Sequence, residues 1–301
     1  MDNKRKFPLI LSGFWLKIIA LVTMTFDHVG FELWRYNADL SIVFRYIGRL
    51  ALPLFCFMIA EGAIHTKNFR KYAFRLGLMA SIISIAIIGS DTIPFFRDNG
   101  FSMRKEGIIF VDLLLGAVAI FCLRQKKWYF KLLAILPVAY GVASFFAMCL
   151  EEACDCSEIL WFPYFMRTQY GWFAILLIIM FYVAHLLTNL FLSYQSNTTG
   201  LPLDSYRDSN IERNALNIFS VVMLALASAL YYISALVLPG NYIDWDPEMQ
   251  LFAVVAGAFI LLYNGRRGYN KKWFQYGSYL YYPIHMAIIY LVFMLIASIG
   301  G

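Results

Sequence analysis

Residues 221–238 read VVMLALASALYYISALVL, a run with no charged side chain. A helix of about twenty residues crosses the roughly 30 Å of hydrocarbon in a bilayer. The run is too long for a strand and too uniformly apolar for one face of a soluble helix. AILLIIMFYVAHLL (174–187) and MAIIYLVFMLIASI (286–299) repeat the pattern, and IIALVTM (18–24) lies inside another such block. Apolar residues that come in blocks rather than alternations specify an all-α membrane protein that crosses the bilayer many times.

Composition agrees. The 301-residue chain is 61% hydrophobic and 15% charged, where a soluble domain carries about a quarter charged residues. Aromatics reach 18%, as expected when Trp and Tyr sit at membrane interfaces. A net charge of +6 would suggest nucleic acid in a soluble protein. Here basic cytoplasmic loops account for it, so no nucleic-acid partner is expected. The opening MDNKRKFPLILSGFW (1–15) is charged but runs into a long span without a small-residue cleavage site. The first helix therefore reads as retained.

Nine transmembrane helices are expected over roughly 14–34, 41–64, 70–90, 107–123, 129–150, 170–192, 215–238, 249–264 and 274–299, forming one domain over 1–301. There is no internal repeat. The polar stretch SYQSNTTGLPLDSYRDSNIERN (193–214) reads as a flexible loop. Loop charge orients the bundle. One set of loops holds Lys4, Arg5 and Lys6; Lys67, Arg70, Lys71 and Arg75; Arg124, Lys126, Lys127 and Lys131; Arg207 and Arg213; and Arg266, Arg267, Lys271 and Lys272. The opposite loops are poor in Lys and Arg. Two of them are acidic, with Glu151, Glu152, Asp155 and Glu158 in one and Asp244, Asp246 and Glu248 in the other. The positive-inside rule puts the N-terminus in the cytoplasm, and nine spans put the C-terminus outside.

The five cysteines make no metal pattern. Cys56 and Cys122 lie in apolar runs as packing residues. Cys149, Cys154 and Cys156 read as one outer loop, where a single disulfide is open to them. No His accompanies them, so a zinc site is not expected.

Ionisable residues inside spans are costly and mark function. Asp27 and His28 lie near the outer end of the first helix. They read either as an interfacial helix-end pair or as a general base with its orienter, since His titrates near neutral pH. Neighbours on a helix point about 100° apart, so Asp27 is expected to meet an Arg from another helix. Arg45 and Arg49 share a face of the second helix. Arg49 sits at a depth that suits a pair with Asp27, either structural or substrate-binding. Glu61 and His65, followed by Lys67, Arg70, Lys71 and Arg75, form either a positive-inside loop or a phosphate site. His285, two residues after Pro283 and close to Ser278, Tyr281 and Tyr282, is either a satisfied core residue or part of a site.

Several segments carry a family likeness: LKIIALVTMTFDHVG (16–30), RYIGRLALPLFCFMIAEGAIHTKN (45–68), KYAFRLGLMASI (71–82), IIFVDLLLGAVAIF (108–121), YGWFAILLIIMFYV (170–183), YNGRRG (263–268) and YLYYPIHMAII (279–289). Together they resemble the conjugal-transfer TraX family of membrane acetyltransferases. That family is related to the acyltransferase-3 and heparan-glucosaminide acetyltransferase superfamily. The first two blocks are the specific ones. Asp112 in EGIIFVDLLLG departs from the usual Asn-containing phrase, and the 149–156 and 193–214 stretches look like insertions. These differences bear on the acceptor more than on the chemistry.

The resemblance implies a multi-pass cell-membrane enzyme. It would move an acetyl group from cytoplasmic acetyl-CoA to an amine or hydroxyl of an extracytoplasmic acceptor, a peptide N-terminus or a cell-surface glycan. Carried onto this chain, His28 is the base, with Asp27 and Arg49 beside it and His285 a second polar group in the acyl path. Loop charge points to Arg70, Lys71, Arg75, Arg266 and Arg267 for the CoA phosphates. An oxyanion formed in a dry site needs positive charge or donors, which Arg49 or a Tyr hydroxyl would supply. Two other classes are weighed against this one. In a transporter or flippase for a small anionic or lipid-linked substrate, the buried Arg and His would bind and relay. A non-catalytic assembly partner would tolerate substitution at Asp27, His28 and Arg49.

Overall fold

The structure, a computed structural model, describes residues 9–94, 107–154, 161–207, 209–237 and 247–300. Among these the secondary structure is helical, with one isolated bridge pairing Leu11 and Tyr263. The helices are α1 (Gly13–Leu33), α2 (Ala38–Gly48), α3 (Ala51–His65), α4 (Phe69–Thr92), α5 (Ile109–Leu123), α6 (Trp128–Leu132) and α7 (Ile135–Cys154). They continue with α8 (Phe173–Thr199), α9 (Asn210–Val237), α10 (Pro247–Leu251), α11 (Ala256–Leu261) and α12 (Lys272–Gly300). Seven stretches are long and apolar enough to cross a membrane, and Ile109–Leu123 and Pro247–Leu261 are shorter apolar helices. The chain is a multi-pass helical membrane protein.

Four expectations change. The second span is two helices, broken between Gly48 and Ala51. Pro53 has no N–H to give the Arg49 carbonyl four residues earlier, and its ring crowds that carbonyl. The 249–264 span is also not continuous, since a 3-10 turn over Phe252–Val255 separates α10 from α11. The 193–214 stretch is not simply a loop. α8 runs on to Thr199 and α9 begins at Asn210, with the Thr199 hydroxyl bonded to the buried Tyr206 phenol between them (2.6 Å). Polar residues there extend helices that the apolar pattern alone could not carry. Cys149 and Cys154 likewise stand on α7 rather than in a loop. Cys156, Lys4, Arg5, Lys6, Asp155, Glu158, Asp244 and Asp246 lie outside the described residues.

The chain divides into two compact units. The first comprises Met1–Met58, Met180–Tyr232 and Glu248–Tyr276. In it α1 packs on α2, where Ser41 Oγ donates to the Gly30 carbonyl (2.6 Å) and Phe26 meets Phe44 edge to face. Phe57, fully buried, lies edge-on to both Phe181 and Tyr263. α8 meets α9 through Ala184, Leu216 and Met223. The YNGRRG segment holds the start of α1. Carbonyls of Arg266 and Arg267 accept from the N–H groups of Gly13 (2.8 Å) and Phe14 (3.0 Å), groups that have no partner within their own helix. Gly265 and Gly268 make the bend at positive φ, and a β-carbon at Gly268 would overlap the Ser12 side chain.

The second unit comprises Ile59–Ile179, Ile233–Pro247 and Gly277–Gly301. Phe69 of α4 stacks on Phe121 of α5 (4.3 Å). Gly116 lets α5 approach Ile178 of α8 more closely than any side chain would allow. The segment before α8 is held by buried polar groups. The Asp112 carboxylate accepts the N–H groups of Gln169 (2.7 Å) and Tyr170 (3.2 Å). Ser144 Oγ accepts the N–H of Thr168 (3.0 Å). Arg167 donates to Glu151 (2.7 Å) and to the Phe162 carbonyl.

Candidate functional site

The break after α2 sets Arg49 at a helix end within the first unit, and its guanidinium is committed on three sides. Nη2 donates to Asp27 Oδ1, Nη1 to Gln250 Oε1 (3.4 Å), and Nε back to the Arg45 carbonyl (3.3 Å). Arg49 is 3% exposed and Asp27 8%. A buried charge of either sign is stable in such surroundings only when paired, and this pair supplies each with its opposite. Arg45 stands farther off, with Nε 3.9 Å from Asp27 and its guanidinium over the Phe31 ring. Gly48 makes the pair reachable, because a β-carbon there would collide with the Asp27 side chain. His28, half-buried, follows Asp27 on α1. The ion pair between α1 and the second span is thus present as expected.

Two further features of this unit have no counterpart in the sequence reading. Gln250, 3% exposed, bridges Arg49 from α10, and its Nε2 has no acceptor within the protein. One face of α9 carries buried polar atoms without protein partners: Asn214 Oδ1, Asn217 Oδ1, Ser220 Oγ and Ser228 Oγ. Tyr231, one turn beyond Ser228, lies within electrostatic reach of Arg49. Asn217 is anchored by its amide N–H groups, which donate to the carbonyls of Tyr263 (2.8 Å) and Leu261 (3.3 Å).

Arg266 and Arg267, in the same unit, are exposed. Their carbonyls do the structural work, which leaves both guanidinium groups available to an anion. Arg213 lies over the Tyr263 ring beside them. The other expected residues belong to the second unit. Arg70 and Lys71 are exposed in the first turn of α4, which Asn68 caps. Arg75, one turn on, is half-buried with Nε lacking a protein partner. Tyr72 and Tyr279 are within its electrostatic reach. His285 is 5% exposed. Its Nδ1 donates to the Tyr281 carbonyl (2.8 Å), and its ring stacks on Tyr281 and meets Tyr282 edge-on.

Against known proteins, the family model described as "TraX protein" matches residues 12–293. The chain belongs to the TraX family. The TraX chain is 33% identical over 119 residues to a protein named probable fimbrial assembly protein FimC, serogroup H1, of Dichelobacter nodosus, covering 35% of this chain and 47% of that one. It is 29% identical over 113 residues to the uncharacterized protein RP591 of Rickettsia prowazekii (strain Madrid E), covering 33% of this chain and 44% of that one. The chain thus spans about half the length of the curated relatives it matches. No solved structure matches it.

In this TraX chain the sequence reading missed Gln250 because one Gln before an apolar run resembles any interfacial residue. The α9 face left a faint signal. Asn214, Asn217, Ser220, Ser228 and Tyr231 fall within about a third of the helix circumference at 100° per residue. The buried role of Asp112 left a clearer one, since a carboxylate in the first turn of an apolar helix requires donors.

Proposed function

We propose that this TraX protein is a membrane-embedded acyltransferase. It moves an acetyl group from acetyl-CoA on the cytoplasmic side to an amine or hydroxyl of an extracytoplasmic acceptor. What carries the reading is the buried Asp27–Arg49–Gln250 cluster with His28 beside it. Fixed charge and fixed donors in a dry site are what stabilise a tetrahedral acyl-transfer intermediate. His28 removes the proton from the attacking amine or hydroxyl. Asp27 holds Arg49 in place. The exposed guanidinium groups of Arg266 and Arg267 suit CoA phosphates; Arg70, Lys71 and Arg75, in the second unit, are a separate candidate for the same role. The loop charges orient the N-terminus to the cytoplasm. The fimbrial-assembly name of one relative supports a peptide of a surface fibre as acceptor.

The test is radiolabelled acetyl-CoA added to membranes containing the wild type or His28→Ala, followed by identification of the labelled product. Label transferred by the wild type and lost in a folded His28→Ala is the expected result. Acetyl-CoA should also raise the apparent Tm, since a ligand at 100 times its Kd stabilises by about 2.7 kcal/mol. Equal transfer by His28→Ala would remove His28 from the base role. Substrate uptake into proteoliposomes without acyl-CoA consumption would favour a transporter instead.

A further inference from the structure

We propose that Gln250 is a catalytic residue of this site, the hydrogen-bond donor to the acyl carbonyl oxygen as that oxygen becomes an oxyanion. The inference rests on the acyl-transfer reading above and assigns a role that the reading leaves between Arg49 and a Tyr hydroxyl.

The orientation of the Gln250 amide follows from its neighbour. A guanidinium only donates, so the Gln250 oxygen faces Arg49 Nη1 and the amide nitrogen faces away. That nitrogen is buried and finds no acceptor in the protein. A buried N–H without an acceptor is rare in native proteins, because its desolvation is uncompensated. One placed on a buried charged cluster calls for an acceptor that arrives with a ligand. Arg49 spends an N–H of each of its three nitrogens on Asp27, Gln250 and the Arg45 carbonyl. Its part is to fix the Gln250 oxygen and so aim the nitrogen. Ser228, 1% exposed, is a second buried donor without a protein partner.

The step balances with an acyl-CoA thioester as donor. The acceptor nitrogen or oxygen bonds to the carbonyl carbon, and the carbonyl π pair moves onto oxygen, where the Gln250 Nε2–H meets it. Collapse restores the C=O bond and breaks the C–S bond. The departing thiolate takes the proton that His28 removed from the acceptor. No oxidant, reductant or metal is required.

The experiment uses the full chain in lipid nanodiscs with acetyl-CoA as the probe. It compares wild type, Gln250→Leu and Gln250→Glu in turnover, KM for acetyl-CoA and apparent Tm. Gln250→Glu replaces the N–H donor while keeping an oxygen acceptor for Arg49 Nη1, so it supplies a second variant where Gln250→Leu does not fold. The expected result is a loss in kcat of about 100-fold or more in each folded variant, with KM changed less than about threefold. A folded variant within about threefold of wild-type kcat overturns the role of Gln250 while leaving acyl transfer standing. A wild type that consumes no acetyl-CoA overturns the acyl-transfer reading, and this inference with it.

Discussion

Gly48 rests against the side chain of Asp27, and no β-carbon fits between them. The absent side chain allows α2 to approach α1 closely enough for Arg49, the next residue, to reach the same carboxylate. Gly48→Ala is therefore expected to lower stability by about 1–3 kcal/mol through overpacking. It should also weaken the ion pair. Apparent Tm in nanodiscs measures the first effect, and loss of any acetyl-CoA-induced stabilisation measures the second. An unchanged Tm would contradict the close approach.

The Asp27–Arg49 pair predicts strong non-additivity. Removing one partner strands the other charge in a buried site, at a cost of about 3–5 kcal/mol. Asp27→Asn and Arg49→Met are each expected to destabilise by that order. The double variant should lose less than the sum, because no unpaired charge remains. A thermal-unfolding cycle of the four proteins reads the coupling directly. Additive losses would mean that the two charges do not depend on each other.

Asp112 has a structural assignment. It receives two backbone N–H groups of the turn that precedes α8, and leaving a buried donor unsatisfied costs about 1–3 kcal/mol. Asp112→Leu should destabilise by at least about 2 kcal/mol and expose 167–172 to protease. Asp112→Asn keeps one acceptor oxygen and should lose less. Equal stability of Leu and Asn variants would rule out the N–H groups as the reason for the carboxylate.

The clasp at the start of α1 separates backbone from side chain. Arg266→Ala and Arg267→Ala leave the bonding carbonyls in place and should change stability by no more than about 0.5 kcal/mol. Gly268→Ala must strain a positive φ and displace Ser12, and is expected to cost about 1–3 kcal/mol. Under the proposed function the two arginine variants raise KM for acetyl-CoA. A fall in Tm as large as that of Gly268→Ala would assign the arginine side chains to the fold instead.

Much of the membrane-spanning architecture is legible in single segments. The apolar runs at 174–187 and 286–299, and residues 221–237 of the third, each lie inside one long helix. Depth and helical spacing also sufficed to pair Asp27 with Arg49, because both residues are strongly disfavoured in hydrocarbon without a partner. Helix breaks were harder to read. Pro53 signals the interruption beside Arg49, yet the surrounding residues are apolar enough to pass for one span. The reach of α8 to Thr199 was hidden because its last turns are polar and held by contacts such as Thr199 with Tyr206.

The order of residues in the chain determined a helical membrane protein and which charges must find partners, since the cost of placing backbone and charge in lipid acts on each segment alone. Only the tertiary structure brought Gln250 to Arg49, Gly48 to Asp27 and the Arg266–Arg267 carbonyls to the start of α1. Those contacts join segments far apart in sequence. Their existence depends on how closely helix surfaces approach, a property of paired shapes that no single stretch of sequence contains.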